Sequence, residues 1–222
     1  MSEYDAVLFD SDGVVVEPPA RETQTEATRA AFREVGVADV DPGHVAAVVD
    51  GATLGDLREI RSAYDLDPEA FWAARERLDE RSQFDAFRAG ERDRYDDVAA
   101  IADLPAARGV VSNNHHSTIE FVLEFFGLGS LFDTHYGREK TIESLRLKKP
   151  NPHYLERALA DLDAADGEAL YVGDSGSDVL AARRAGIDSA LVRRPGRRTA
   201  DRRVTPTHEI GTLHELADIV DG

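Results

Sequence analysis

The sequence predicts an α/β protein: a doubly wound parallel sheet core with a small α-helical domain inserted after the first strand. Three observations carry that reading. Short, poorly alternating apolar runs recur along the chain, as strands buried on both faces of a parallel sheet do. Helical patterns separate the later runs, so strand and helix alternate. The first connection, about 100 residues from Phe9 to Val110, is too long to lack structure of its own.

Five runs are expected as strands: Ala6 to Phe9, Gly109 to Val111, Leu131 to His135, Ala169 to Val172 and Ser189 to Val192. Between them, Thr118 to Phe126 places Ile119, Val122, Leu123 and Phe126 at helical spacing before Gly127, a natural stop. Pro152 opens a second helix with Leu155, Ala158, Leu159 and Leu162 on one face, and a third runs from Ser177 to Gly186. In the long connection, Pro18 and Pro19 mark the exit from the first strand, and a helix covers about Arg21 to Val35. Asp41-Pro42 and Asp67-Pro68 each read as an N-cap acid followed by proline at the first helical position. After Pro68, Phe71, Trp72, Leu78 and Phe87 form a broken apolar stripe. The expected division is a core of residues 1–16 and 91–222 and a helical domain of residues 17–90.

Composition removes several function classes. With 222 residues, 42% of them hydrophobic, the chain makes one domain or one and a half. The absence of cysteine rules out disulfides, thiolate nucleophiles and sulfur-ligated zinc, so any metal is held by oxygen or imidazole. No apolar run approaches the roughly 18 to 20 residues of a membrane helix, and MSEYDAVLFD lacks the basic and apolar regions of a secretion signal. A cytoplasmic protein without a membrane partner is expected. The formal net charge of -17 opposes binding to phosphate backbones, which excludes nucleic acid as the expected partner. Only three lysines occur among the 26 basic residues, while the 43 acids are spread along the chain. That surface resembles those of salt-in halophiles, where concentrated salt screens like-charge repulsion, so a haloarchaeal cytoplasm is expected.

Four segments at predicted strand ends carry chemistry. Asp10-Ser11-Asp12-Gly13 places two carboxylates two residues apart, with a glycine that lets the chain turn so both acids face one point. Such a pair divides labour between attack and proton transfer, although the same pattern also begins ordinary capping turns. Val14, Val15 and Val16 replace the oxygen ladder that a calcium loop needs. Ser112-Asn113-Asn114 precedes a helix, where backbone N–H groups and a hydroxyl can cradle an anion. Lys148-Lys149-Pro150 holds two of the three lysines, and such a cation can steady a phosphoryl oxygen and an anionic nucleophile together. Gly173-Asp174-Ser175-Gly176-Ser177-Asp178 supplies acids at spacing four; Asp174 with Asp10 suits Mg2+, and Asp178 suits a position behind them. His115 and His116, adjacent on a helix start, point apart and are expected as loop or helix-start residues rather than as a shared metal pair.

In this order, the four segments resemble the haloacid dehalogenase superfamily over about Ala6 to Val192, with an inserted helical cap as in its phosphoglycolate phosphatase and beta-phosphoglucomutase branch. The resemblance implies a Rossmann-like core, Asp10 as nucleophile forming an aspartyl phosphate, and Asp12 as general acid and then base. It implies Ser112 at the phosphoryl oxygens with Asn113 adjoining, Lys149 as the neutralising and substrate-binding cation, and Mg2+ on Asp10, Asp174 and the main-chain carbonyl of Asp12.

Within that superfamily, dehalogenases lack the second acid present here as Asp12, and phosphonate-cleaving relatives need a cap lysine where this chain has none before Lys140. The mutases use a cap histidine and a cap arginine, where this chain has Glu22 and Leu54. The expected activity is therefore Mg2+-dependent hydrolysis of a small phosphorylated metabolite, by a monomer or homodimer. A phosphomutase and a binding protein on a retired enzyme fold are the alternatives. Residues near Gly51 to Leu57 are expected to select the leaving group. The arginines at 193, 194, 197, 198, 202 and 203 are expected to form a solvated loop balancing nearby acids rather than a polyanion site.

Overall fold

The computed structural model describes residues 4–164, 168–194 and 204–221. Among the described residues, six strands form one all-parallel sheet: β1 (Ala6–Phe9), β2 (Ala107–His115), β3 (Thr134–Arg138), β4 (Ala169–Gly173), β5 (Asp188–Val192) and β6 (His208–Ile210), in the order β3-β2-β1-β4-β5-β6. β1 is buried at every position, as a central strand covered on both faces must be. It pairs with β2 from Ala6↔Ala107 to Phe9↔Val110 and with β4 from Ala6↔Ala169 to Phe9↔Val172. The residue after β1 therefore emerges between two neighbouring strands, at the carboxyl edge where open parallel sheets place ligands.

The chain folds as two compact units. The sheet unit comprises the residues up to Glu17, Asp93–Arg138 and those from Leu147 on; the helical unit comprises Pro18–Arg92 and Glu139–Arg146. Residues 139–146, grouped with the core on sequence, thus pack with the helices. Leu145 lies in that unit's core and Ile142 packs against it, an apolar pair too short and isolated to stand out among the charged residues around it.

In the sheet unit, α5 (His116–Phe125), α6 (His153–Asp161), α7 (Gly176–Ala185) and α8 (Leu216–Val220) accompany the strands. Leu155, Ala158 and Leu159 of α6 and Ala181, Ala182 and Ala185 of α7 share one core with Ala6, Leu8, Val111 and Tyr171 of the sheet. α7 ends at Gly186, whose φ of +76° is left-handed, as at a glycine helix stop.

The helical unit contains α1 (Arg21–Glu34), α2 (Pro42–Val49), α3 (Leu54–Tyr64) and α4 (Pro68–Arg88). Asp41 and Asp67 cap α2 and α4 by accepting from the amides of Gly43 and Glu69, with proline at the first helical position. Phe32, Ile60, Phe71 and Trp72 lie at its core. The stripe on α4 reads as broken because Arg75, Glu76, Asp79 and Gln83 are buried as well; Arg75 pairs with Glu76 at 2.9 Å, and Gln83 donates to Asp79 at 3.0 Å.

Several boundaries depart from the sequence expectations. The third strand begins at Thr134 rather than Leu131, because Gly129–Leu131 forms a 3₁₀ turn and Phe132 packs edge-on against Phe9 at 5.9 Å. α5 starts at His116, and Pro152 caps α6 instead of opening it. α3 was unforeseen, although Thr53 and Asp56 form a reciprocal capping box at its start. β6, α8 and the 3₁₀ helix Asp96–Asp103 are short segments with little periodicity. Among the described residues, no helix is long and apolar enough to cross a membrane.

Candidate active site

The four chemical segments converge at the carboxyl edge of β1, β2 and β4. Asp10 leaves β1 with its amide on the Val172 carbonyl at 2.8 Å. The turn behind it is tight: the amides of Val15 and Val16 both bond Ser11 O, and Gly13, at φ +88°, donates to Val16 O at 2.7 Å. That left-handed φ is one a side chain strains, which explains glycine there.

Lys149 is the hub of the site. Its ammonium lies 2.9 Å from Asp10 Oδ1 and 2.8 Å from Asp178 Oδ1, and it donates to Tyr171 Oη at 2.6 Å and to Val111 O at 3.3 Å. Burial alone would push this lysine down, but Asp10, Asp178 and Tyr171 hold it well above its usual range. Asp178 is fixed in turn, since its Oδ2 accepts from both the amide and the hydroxyl of Ser175 at 2.9 and 2.6 Å. Gly173 makes room for it: a Cβ at that position would stand 2.3 Å from Asp178 Cβ.

Asp12 receives a hydrogen bond from Asn114 Nδ2 at 2.9 Å, across β2. Ser112 is buried, and its hydroxyl accepts from the Asn114 amide at 3.2 Å. Asn113, next to Ser112, turns its side-chain amide to Lys149: its Oδ1 accepts from the Lys149 amide at 2.7 Å and its Nδ2 donates to the Lys149 carbonyl at 3.3 Å. It braces the lysine's backbone. Asn114 and Tyr171 were missed on sequence; the first looked like one of two equivalent amides and the second like an apolar strand residue.

Asp10, Asp174 and Asp178 each offer a carboxylate oxygen within 4.8 Å of the others. Burial first, and then the charges of Asp178, Asp174 and Asp12, push the Asp10 carboxyl up to about 8 against the pull of Lys149. Negative charge at this spot exceeds what one ammonium balances. The hard, all-oxygen donor set and the surplus charge both fit a divalent cation such as Mg2+. With both oxygens of Asp178 engaged by Lys149 and Ser175, Asp10 and Asp174 are the carboxylates suited to hold it.

The family described as haloacid dehalogenase-like hydrolase matches residues 7–192. The chain belongs to that family. Pyrophosphatase PpaX of Bacillus cereus (strain ATCC 10987 / NRS 248) is 37% identical over 98 residues, covering 44% of each chain. Pyrophosphatase PpaX of Halalkalibacterium halodurans is 28% identical over 127 residues, covering 57% of each. The chain thus aligns with about half the length of these curated relatives. Among solved structures, CbbY from Rhodobacter sphaeroides in complex with phosphate superposes with a TM-score of 0.72 at 21% identity, covering 96% of both chains. A predicted phosphoglycolate phosphatase from Haemophilus somnus superposes with a TM-score of 0.66 at 18% identity, covering 99% of both. These structures share the chain's fold.

Two further sequence expectations meet the structure here. Arg194 is not solvated: its side chain is 8% exposed and pairs with Asp97 at 2.6 Å, while Arg193 pairs with Glu209 at 2.9 Å. Arg197, Arg198, Arg202 and Arg203 lie outside the described residues. In the helical unit, Ala52 and Leu57 of the expected selectivity segment are buried in the core, and Leu54 lines a cleft with Arg58, Arg61, Ile142 and Arg146.

Proposed function

We propose that this hydrolase is a Mg2+-dependent phosphatase acting on a small phosphate ester through an aspartyl-phosphate intermediate on Asp10. The observation that carries the reading is the buried Lys149 ammonium between Asp10 and Asp178, with Asp12 held beside Asn114 on the same sheet edge. A carboxylate oxygen of Asp10 attacks phosphorus as the bond to the leaving oxygen breaks, and Asp12 gives its proton to that oxygen. Asp12 then takes a proton from water, whose oxygen attacks the aspartyl phosphate; inorganic phosphate leaves and the Asp10 carboxylate is restored. Lys149 neutralises charge on the nucleophile and on the phosphoryl group throughout, and in this reading the Ser112 hydroxyl binds a phosphoryl oxygen. A bound Mg2+ adds charge stabilisation at the phosphoryl oxygens.

Glu22 and Leu54, at the places where a mutase carries imidazole and guanidinium, supply neither, which supports hydrolysis over transfer. That the similar relatives are pyrophosphatases makes pyrophosphate a candidate beside phosphate monoesters. Phosphate release from p-nitrophenyl phosphate, pyrophosphate, phosphoglycolate and a panel of sugar phosphates, with Mg2+ and in low and molar KCl, tests the proposal. Turnover that disappears in Asp10→Asn is expected. No release from any substrate by folded wild-type protein would overturn it.

A further inference from the structure

A second cluster of metal-ligating side chains lies at the outer edge of the sheet unit, where α5 packs beside β3. His116 is the first residue of α5, Glu120 follows one turn later, and His135 is the second residue of β3. Spacing of four on a helix puts 116 and 120 on one face, and His116 Nε2 lies 3.8 Å from Glu120 Oε1. The rings of His116 and His135 stack with 5.1 Å between centroids and 11° between planes. One donor atom from each of the three side chains lies within 4.8 Å of the other two. The sequence reading compared His116 with its neighbour His115; the histidine that meets it is His135.

We propose that His116, Glu120 and His135 bind a divalent transition-metal ion of the Zn2+, Co2+ or Ni2+ class, at a site separate from Asp10 and Asp174. Two imidazoles and one carboxylate are a donor set that such ions take, with water completing the shell, whereas Mg2+ prefers oxygen throughout. Imidazole must be neutral to ligate. Burial, and then His116, holds His135 below the ordinary histidine range despite the opposing charge of Glu120. The exposed Glu120 leaves an approach from solvent.

One existing contact must give way. The Gly137 amide reaches His116 Nδ1 at 3.3 Å, a long hydrogen bond that leaves Nε2 facing Glu120. An ion on Nε2 requires the tautomer that carries the ring's single N–H proton on Nδ1, so the Gly137 amide loses its acceptor there and that contact opens. The ion would tie the start of α5 to β3, four residues after Ser112.

Binding is read directly, without relying on turnover. The full chain, stripped with EDTA and returned to excess Mg2+, is titrated with Co2+ by visible absorbance and with Zn2+ by calorimetry. One ion per chain is expected, with affinity reduced tenfold or more in His116→Gln and His135→Gln and unchanged in Asp10→Asn. Melting curves guard against misfolding: Zn2+ should raise the midpoint of wild type and leave that of folded His135→Gln where it was. Absence of uptake would overturn the proposal, as would equal affinity in His135→Gln. Loss of uptake in Asp10→Asn, or competition by Mg2+, would place the ion at the carboxylate cluster and overturn it too.

Discussion

The ammonium of Lys149 and the carboxylate of Asp178 stand 2.8 Å apart, each side chain 2% exposed. Removing one partner of an isolated buried pair costs about 3–5 kcal/mol because a naked charge remains. Here Asp10 stays beside Lys149 at 2.9 Å, so the ammonium is never left alone. Asp178→Asn should therefore cost less, about 1–3 kcal/mol in urea unfolding. Its effect on turnover should be larger in proportion, a fall in kcat of tenfold or more, because the ammonium is then free to swing toward Asp10. Parallel kinetics and denaturation curves check both expectations.

Gly173→Ala tests the same ion pair from behind. The added Cβ would stand 2.3 Å from Asp178 Cβ and 2.5 Å from its Cγ, so Asp178 or the strand end must move. Overpacking of this kind costs about 1–3 kcal/mol. Displacing Asp178 should also lower kcat, and because both changes act through Asp178, the double variant with Asp178→Asn should be little worse than either single one, a non-additivity that kcat measurements read directly.

The parts of this site that were legible on sequence are those whose chemistry requires an unusual residue at a strand end. Asp10, Asp12, Lys149 and Asp174 stand out because acids after apolar runs, or a rare lysine before proline, are hard to explain as packing. Asn113 and Asn114 were not separable on sequence, since which amide faces Lys149 and which faces Asp12 depends on the path of the chain beyond Val111, where the β2–β3 register shifts. Tyr171 was hidden by its position within an apolar strand. In the fold, the buried strands were readable from composition. The Asp96–Asp103 turn was not, because what anchors it is Asp97, held by groups more than 90 residues away in sequence.

Tyr171→Phe isolates the hydroxyl that joins Lys149 to the sheet. Tyr171 Oη accepts from Lys149 and donates to Val111 O at 2.7 Å. With the hydroxyl gone, Lys149, already 3.3 Å from Val111 O, can take over that carbonyl, so the stability loss should stay near 1 kcal/mol. The shift draws the ammonium from Asp10, and a several-fold lower kcat with little change in KM is expected from steady-state kinetics.

Salt should stabilise this protein. A formal net charge of -17 on 222 residues imposes self-repulsion that a shorter screening length relieves, from about 10 Å at 0.1 M to about 3 Å at 1 M. Exposed pairs such as Arg77 with Glu34 contribute little and weaken with salt, so they do not reverse the sign. The melting temperature should rise steadily from low salt to molar KCl. A flat profile would show that the acids repel one another too weakly to matter.

Asp97 supplies the acid-sensitive joint of the sheet unit. It takes both terminal nitrogens of Arg194 at 2.6 and 3.0 Å, the Thr212 hydroxyl at 2.8 Å and the Leu213 amide at 2.9 Å. Arg194 also donates to Val14 O at 2.8 Å, two residues beyond Asp12, and stacks on Tyr95. Burial alone would raise the Asp97 carboxyl, but these hydrogen bonds outweigh it and hold the group below its usual range. A carboxyl lowered by folding contributes stability that is fully present above its unfolded value, near 3.9, and is lost as pH falls toward the folded value. Asp97→Asn should therefore cost about 1.5–3 kcal/mol at pH 7, the range for hydrogen bonds to a charged group. The gap between variant and wild type should narrow below about pH 4, as the wild-type carboxylate takes up its proton. Urea unfolding of both proteins across pH 3 to 7 measures that gap, and a gap that stayed constant with pH would remove the carboxylate's charge from the explanation.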